Sequence, residues 1–200
     1  FNDVVVLDSY SSDRTVELAT ASGARVVQRT FDNWAAHQNW ALENIAFKHP
    51  WVFYLDADER MTTELADEIS TIASDPFPRE GAFYCGRRNM GRGRWIKHAR
   101  PPGNIMRFFK PGFIRFERLV NPTPVINGPH GYLRHQFLHY NFSKGLTEWF
   151  EKHNKYSKLE ALEGLKIVGG SRRTHTSLLA RDPAMRRQAL TALSFRLPFR

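Results

Sequence analysis

The chain has 200 residues, of which 42% are hydrophobic, 24% charged and 13% aromatic, and a chain of this size buries most of its apolar surface in a folded core. These values exclude a disordered tail, a collagen-like polymer and a small scaffold that depends on disulfides. The single cysteine, Cys85, cannot form an internal disulfide, which favours a reducing compartment. No apolar run approaches the roughly 18 residues of a membrane-spanning helix, so we predict that nothing here spans a bilayer.

The net charge of +9 is unevenly distributed along the chain. Residues 1–80 contain 6 Lys and Arg against 14 Asp and Glu, whereas residues 81–200 contain 23 against 6. This asymmetry predicts an anionic partner for the second half. Composition alone leaves open whether that partner is a nucleic acid, a phosphorylated substrate or an anionic membrane surface.

The two ends of the sequence predict that it is a fragment. It begins at Phe1 without a methionine, and a predicted strand starts within three residues of that end. It closes on apolar and basic residues without a polar tail. The absence of a signal peptide at the start therefore carries no information.

The first 75 residues alternate between strand and helix patterns. The predicted elements are a strand over 4–7, a helix over 14–21 with Ser11, Ser12 or Asp13 as cap, a strand over 24–27, a helix from the cap Asn33 to about 47, a strand over 51–55 and a helix from Thr62 or Thr63 to 73. This order is typical of a doubly wound α/β sheet with right-handed crossovers.

The second half has a different pattern. Strands are predicted near 81–86, 104–110, 113–116 and 131–138, with a stretch rich in glycine and arginine over 87–102. An amphipathic helix over 143–162, a break over 164–177 and a basic helix over 183–194 follow.

Acidic residues follow two of the predicted strands. Asp56, Asp58 and Glu59 lie directly after the strand over 51–55, and Asp8 ends the first strand. Ligands of open α/β sheets bind at the carboxyl ends of the strands, and carboxylates on such a turn can hold Mg²⁺ or Mn²⁺. A solvated turn with a helix cap is the alternative interpretation of the triplet.

Several stretches carry a more specific resemblance through their order. They are VVVLDSYSSDRT at 4–15, FDNW at 31–34, QNWAL at 38–42, LDADE at 55–59, LHY at 138–140 and KHNKYS at 152–157. This set resembles family 2 glycosyltransferases with the GT-A fold, in particular bacterial members that add sugars to lipopolysaccharide core, capsule or exopolysaccharide. The resemblance spans roughly residues 3–160.

The resemblance implies a fold and a domain division. The expected fold is α/β, a Rossmann-like and mostly parallel sheet flanked by helices, with the N-terminal strand of the family missing. Residues 1–140 would form the catalytic domain, with 1–80 as its nucleotide-binding half and 81–140 as its acceptor half. Residues 141–200 would form a C-terminal helical region.

The resemblance also implies site residues. Asp8 matches the aspartate that contacts the nucleotide base. Asp56 and Asp58 match the DxD pair, with the first near the ribose and the second on the metal. His139 is the candidate for a later histidine that completes the metal or diphosphate site, with a structural histidine as the alternative. Gln38 stands where relatives often carry Arg or Lys.

Two further candidates come from the chemistry of sugar transfer. Arg107 lies inside an apolar strand pattern and is the arginine we select for a bound anion. An inverting transferase also needs a general base. Relatives place an acid where this sequence has Pro122, and Glu117 is the only Asp or Glu between residues 81 and 147. Glu117 is therefore the predicted catalytic base.

These residues predict a metal-dependent glycosyltransferase that is inverting. The donor is expected to be a nucleotide sugar, with UDP as nucleotide, the acceptor a glycolipid or polysaccharide, and the ion Mn²⁺ or Mg²⁺. The predicted location is the cytoplasm, with peripheral association with the anionic inner face of a bacterial membrane and no nucleic acid as partner. A metal-dependent nucleotidyltransferase stays open, as does a non-catalytic basic module that binds nucleic acid or a membrane surface.

Overall fold

The computed structural model describes residues 2–98, 103–141 and 145–168, together with residues 178–179, 186, 189–190 and 193–194. The chain divides into two compact units, residues 1–141 and residues 142–200.

The first unit contains ten strands and three α-helices among its described residues. In chain order they are β1 (Val5–Asp8), α1 (Thr15–Ala21), β2 (Arg25–Gln28), α2 (Trp34–Asn44), β3 (Val52–Phe53), β4 (Glu59–Arg60), α3 (Thr63–Ala73), β5 (Ala82–Gly91), β6 (Arg94–Trp95), β7 (Asn104–Phe109), β8 (Ile114–Glu117), β9 (Thr123–Ile126) and β10 (His130–His139). The predicted alternation of strand and helix over the first 75 residues is confirmed.

The strands form one large sheet and two small ones. The large sheet has the order β3-β7-β5-β10-β4, with β6 paired to β5. Strands β1 and β2 form a parallel pair, and β8 and β9 form an antiparallel pair. Within the large sheet only β5 and β10 are parallel, because β7 turns back along β5 and β4 runs against β10.

The prediction of a mostly parallel sheet is therefore wrong: the fold is α/β with a mixed sheet, compatible with a Rossmann-like arrangement. The strand predicted over 51–55 is shortened to β3, whose two residues pair only with β7. The strand predicted over 81–86 is instead extended to Gly91. The arginine-rich stretch after residue 86 continues the pairing with β10 as far as Asn89 and then turns back as β6.

The core lies between α3 and the large sheet. Leu65 and Ile69 of α3 are fully buried against Phe83, Phe108 and Phe137 of the sheet. Helix α3 occupies the predicted range, and the Thr62 hydroxyl accepts a hydrogen bond from the Leu65 N–H at its start. The apolar face of the helix and the apolar face of the sheet exclude water from each other. This packing holds in place the strands whose ends carry the site.

Helix α2 begins at the predicted cap and holds the β8–β9 pair. The Asn33 side chain accepts a hydrogen bond from the Ala36 N–H, 2.9 Å away. One turn and a half later, the Asn39 amide donates to the Phe116 carbonyl and accepts from the Phe116 N–H, both at 2.8 Å. Asn39 thus pairs with β8 as a neighbouring strand would, and satisfies backbone groups that burial would otherwise leave unpaired.

The described part of the second unit is dominated by one helix, α4 (Leu146–Val168). It extends beyond the predicted end at 162 and into the predicted break over 164–177, whose remainder lies outside the described residues. The basic helix predicted over 183–194 also falls largely outside them. Within the part of the chain that the structure describes, no helix combines the length and apolar character needed to cross a membrane.

Candidate functional site

A cluster of polar side chains lies at one end of the large sheet. His139, the last residue of β10, is in register with Glu59 of β4 on one side and with Asn89 of β5 on the other. The turn that carries Asp56 and Asp58 leads directly into β4, and the Tyr140 N–H donates to the Asp58 carbonyl at 2.8 Å. The register brings the predicted acidic turn and the predicted histidine to the same sheet end.

Asp56 is held rigidly by three neighbours. Its carboxylate accepts hydrogen bonds from the Tyr54 hydroxyl and from Nη2 of Arg107, each at 2.8 Å. Its backbone N–H donates to Oε2 of Glu59 at 3.0 Å. Because both carboxylate oxygens already have donors, the orientation of Asp56 is set before any ligand arrives.

Arg107 reaches this cluster from a bulge in β7. Strand β5 pairs Phe83 with Phe108 and Tyr84 with Met106, so that Arg107 is the extra residue between them. A bulge of this kind redirects one side chain away from the regular alternation. The side chain is buried, and its guanidinium lies 4.8 Å from the centre of the Tyr54 ring.

The guanidinium is shared between two carboxylates. Nη2 of Arg107 lies 2.6 Å from Oε1 of Glu59 as well as 2.8 Å from Asp56. The buried Nε of Arg107 has no hydrogen-bond partner among the described residues. Arg107 therefore forms a direct ion pair with Asp56. Its role in binding an anion stays a prediction.

Burial and charge set the protonation of this cluster. Burial raises the pKa of Glu59 above its usual value, although the Arg107 charge acts in the opposite direction. Burial opposes the charge of Arg107, but Asp56 and Glu59 outweigh it and raise the pKa of the guanidinium. Burial and the Asp56 charge raise the pKa of Tyr54, which therefore stays a neutral hydrogen-bond donor.

Asp58 and His139 form the second part of the cluster. Nε2 of His139 lies 3.4 Å from Oδ2 of Asp58, and both side chains retain some contact with solvent, at 11% and 26% of their surface. Nδ1 of His139 lies 3.0 Å from Oδ1 of Asn89. The pair is therefore mostly buried, with Asp58 the more exposed of the two side chains.

This pair suits a divalent ion that is completed by substrate. Across the described residues, no group of three or more His, Cys, Asp or Glu side chains forms a metal site. Mg²⁺ is commonly held by one or two carboxylates with substrate phosphates, and neighbouring ligands in its octahedral shell lie about 3 Å apart. The carboxylate suits Mg²⁺ or Mn²⁺, and the imidazole nitrogen beside it suits a transition-metal ion better than Mg²⁺.

Asp8 lies in the separate β1–β2 pair. Its buried carboxylate accepts hydrogen bonds from Nε2 of Gln28, at 3.0 Å, and from the N–H and hydroxyl of Ser11. The Gln28 and Ser11 hydrogen bonds lower the pKa of Asp8 below its usual range. Asp8 is therefore ionised and fixed, although it also closes the turn before α1, a role that the sequence analysis did not assign to it.

Gln38 lies on the first turns of α2 and is buried. Its side chain is within hydrogen-bonding reach of the Tyr54 hydroxyl, while its Oε1 has no hydrogen-bond partner in the described part of the chain. Gln38 is thereby connected to Asp56 through Tyr54.

Glu117 lies elsewhere, at the end of β8. It is exposed and faces Thr123 of β9 in the register of that small pair. The hydrogen bonds and ion pairs described above connect none of the cluster residues to Glu117. Its role as a base stays a prediction.

Two residues of the cluster have no role in the sequence analysis. Tyr54 lies in the predicted strand over 51–55, where its hydroxyl two residues before Asp56 was an available signal. Asn89 lies in the stretch over 87–102 that the sequence analysis left outside the strands. Its place opposite His139 follows from the register of β5 and β10, which the sequence pattern does not determine.

Comparisons with known proteins find relatives for part of the chain. Over 124 residues, it is 33% identical to an uncharacterized glycosyltransferase of Rickettsia bellii and 32% identical to one of Rickettsia typhi, in alignments that cover 61% of this chain and 42% of each relative. It is also 33% identical over 76 residues to a TPR repeat-containing protein of Synechococcus elongatus, of which that alignment covers 18%. No protein-family model matches the chain. The chain spans about two fifths of the length of the rickettsial relatives, which are named glycosyltransferases.

Proposed function

We propose that this chain forms part of a glycosyltransferase of family 2 type with a GT-A-like fold. In this proposal the enzyme transfers a sugar from a nucleotide-sugar donor, with UDP as the expected nucleotide, to a glycolipid or polysaccharide acceptor with inversion. The observation that carries the proposal is the site at the sheet end, where Asp56 is fixed and Asp58 faces His139 at 3.4 Å. The similarity to proteins named glycosyltransferases supports the same class.

Asp58 and His139 would hold the divalent ion, Mn²⁺ or Mg²⁺. When bound, such an ion neutralises the negative charge that develops on a diphosphate leaving group. Asp56 would accept hydrogen bonds from the ribose hydroxyls, since its oxygens are held in place by Tyr54 and Arg107. Arg107 contributes to donor binding in this proposal by fixing Asp56.

Asp8 would contact the nucleotide base. It is ionised, because its hydrogen bonds keep its pKa low, and an ionised carboxylate accepts hydrogen bonds from the N–H groups of a base. Glu117 would act as the general base that deprotonates the acceptor hydroxyl. Its exposure on β8 leaves it open to solvent and to an acceptor.

The strong positive charge of residues 81–200 supports an anionic acceptor. A glycolipid in the inner face of a bacterial membrane would meet that requirement, and the anionic lipids around it would attract the same basic surface. A cytoplasmic enzyme that associates peripherally with this membrane fits the charge distribution, with no nucleic acid as partner.

The donor and metal parts are tested by nucleotide binding. Titration calorimetry with UDP, in the presence and absence of Mn²⁺, should show binding that depends on the ion. Asp58→Asn should remove that dependence. Asp67→Asn, the same change at an exposed residue of α3, is the matched control and should behave as the wild type. A wild-type protein that binds UDP equally well without Mn²⁺ would contradict the metal-dependent mechanism.

The base is tested separately. Glu117→Gln should abolish sugar transfer to added acceptor while UDP binding stays unchanged, because the amide cannot take up the proton. Glu80→Gln serves as a control at a different glutamate of the first unit, which lies shortly before β5. Transfer at the wild-type rate in Glu117→Gln would refute the assignment.

A further inference from the structure

Asn89 occupies a defined position beside the proposed ion site. It is the residue of β5 that lies directly in register with His139 of β10. In-register residues of neighbouring strands project to the same face of a sheet, so their side chains are adjacent. The adjacency continues to Glu59 of β4, which is in register with His139 from the other side.

The contact between Asn89 and His139 has a fixed direction. Oδ1 of Asn89 lies 3.0 Å from Nδ1 of His139. With the Asn89 amide in this orientation its oxygen is the acceptor, and Nδ1 then carries the hydrogen. A neutral imidazole has one N–H and one lone pair, and the lone pair therefore lies on Nε2.

The lone pair on Nε2 points towards a carboxylate. Nε2 lies 3.4 Å from Oδ2 of Asp58, and two acceptors at this separation repel unless a proton or a metal cation lies between them. A divalent cation supplies that charge and binds both atoms. The opposite tautomer would place a hydrogen on Nε2, which would satisfy Asp58 and block the nitrogen as a ligand.

We propose that Asn89 is a positioning residue that holds His139 in the Nδ1–H tautomer, with Nε2 open to a divalent cation shared with Asp58. The proposal rests on the proposed function, because that function requires the ion. Groups that accept the second N–H of a ligand histidine fix its tautomer and ring plane, and their loss reduces metal affinity about 10- to 100-fold.

A purely structural Asn89 would behave differently. If its amide only satisfied a buried histidine, its loss would lower the stability of the sheet and leave the metal affinity unchanged. Two measurements on folded protein therefore separate the two roles. Neither requires a donor, an acceptor or sugar transfer.

The first measurement is the affinity for Mn²⁺ in the presence of UDP, whose phosphate oxygens would complete the shell of the ion, by titration calorimetry or by the electron paramagnetic resonance of free Mn²⁺. Asn89→Leu removes the acceptor at similar volume and should weaken binding about 10- to 100-fold. Asn89→Asp keeps an acceptor for Nδ1–H and should restore affinity to within a few fold of the wild type. Asn44→Leu, at an exposed asparagine that ends α2, is the matched control and should bind as the wild type.

The second measurement is the tautomer of His139 in metal-free protein, by nitrogen-15 NMR at about pH 8.5, where a histidine ring is neutral. The wild type should show Nδ1–H, and Asn89→Leu should show a mixture or Nε2–H. A wild-type Nε2–H tautomer would overturn the proposal. The proposal would also be overturned if Asn89→Leu bound Mn²⁺ within twofold of the wild-type affinity while Asp58→Asn lost Mn²⁺ binding. That result would leave the proposed function standing. A wild type that binds no Mn²⁺ even with UDP present would refute the metal-dependent function itself, and the proposed role of Asn89 with it.

Discussion

Replacing Arg107 by Met should destabilise the first unit strongly. Arg107 is the cation between Asp56 and Glu59, and the side chains of Arg107 and Glu59 are exposed to 5% and 1%. Methionine fills a similar volume but leaves Glu59 buried without a counter-charge. Removal of one partner from a buried ion pair costs about 3–5 kcal/mol, and two lost hydrogen bonds to charged groups at about 1.5–3 kcal/mol each give a similar figure.

The loss should depend on pH in a direction that the structure fixes. Burial already raises the pKa of Glu59, and Arg107 is the group that opposes this shift. Without Arg107 the pKa of Glu59 rises further, so the folded protein binds a proton that the unfolded chain releases at about pH 4.5. Stability of Arg107→Met should therefore be greatest near pH 4.5 and fall as pH rises through the raised pKa.

Urea unfolding followed by tryptophan fluorescence measures this loss, since Trp51 lies in the core of the large sheet. The double variant Arg107→Met with Glu59→Gln should recover at least about 2 kcal/mol at pH 8, because the uncompensated charge is gone. Arg14→Met is the control, since Arg14 and Glu17 form an ion pair that is mostly exposed and worth less than about 1 kcal/mol. A loss below about 1 kcal/mol for Arg107→Met, or no recovery in the double variant, would refute the argument.

Three further changes test how the sheet is held together. Glu68→Gln removes the carboxylate that accepts hydrogen bonds from the N–H groups of Arg134 and His135 and should cost about 2 kcal/mol at pH 7. Burial acts to raise the pKa of Glu68, but these hydrogen bonds outweigh it and lower the pKa. The contribution of Glu68 to stability is therefore complete above about pH 4.5, and it should disappear in acid unfolding curves as pH falls below that value. A stability difference between wild type and Glu68→Gln that stays constant from about pH 7 to pH 3 would contradict this. Asn39→Leu leaves the N–H and carbonyl of Phe116 without their side-chain partner and should cost about 2–3 kcal/mol in urea unfolding, whereas a loss within error would show that solvent replaces the amide. Asn33→Ala removes the cap of α2 and should cost about 1 kcal/mol. Asn33→Asp should retain stability, because aspartate also caps. An equal cost for the two variants would contradict the capping role.

Local signals in the sequence predicted the helices well. Asn33 is the predicted cap of α2, and Thr62 is one of the two residues predicted to begin α3. Both side chains accept a hydrogen bond from an N–H group at the helix start. The bounds of α3 were predicted correctly because cap, acidic first turn and apolar spacing agree over eleven residues. Helix boundaries are set mainly by such neighbouring residues, which the sequence displays directly.

Strand pairing depends on distant residues and was predicted less well. The parallel β1–β2 pair follows from the strand–helix–strand pattern, but the mixed order around β5 does not. The segment over 87–91 is polar and rich in arginine, yet it continues β5, because β10 supplies a parallel partner as far as Asn89. Pairing of this kind satisfies backbone groups irrespective of side-chain polarity, so composition carries little information about it.

The site divides in the same way between what local sequence predicts and what topology adds. The sequence places Asp56, Asp58 and Glu59 at a strand end, and the structure brings His139 beside Asp58. The ion pair from Arg107 depends on a bulge that only the register of β5 and β7 reveals. Topology therefore decides that Arg107 pairs with Asp56 and Glu59.

The charges within this cluster explain why a basic protein would keep an acidic site. Asp56, Asp58 and Glu59 carry three negative charges and Arg107 one positive charge, which leaves two negative charges at the sheet end of a chain with a net charge of +9. Arg107 offsets one of the two charges of Asp56 and Glu59, so the deficit of two is divided between that pair and Asp58, where the neutral imidazole of His139 adds a lone pair and no further negative charge. A divalent cation matches that deficit in both charge and ligand chemistry. Bound there, it would present positive charge to an incoming diphosphate while Asp56, held by Tyr54 and Arg107, keeps its orientation.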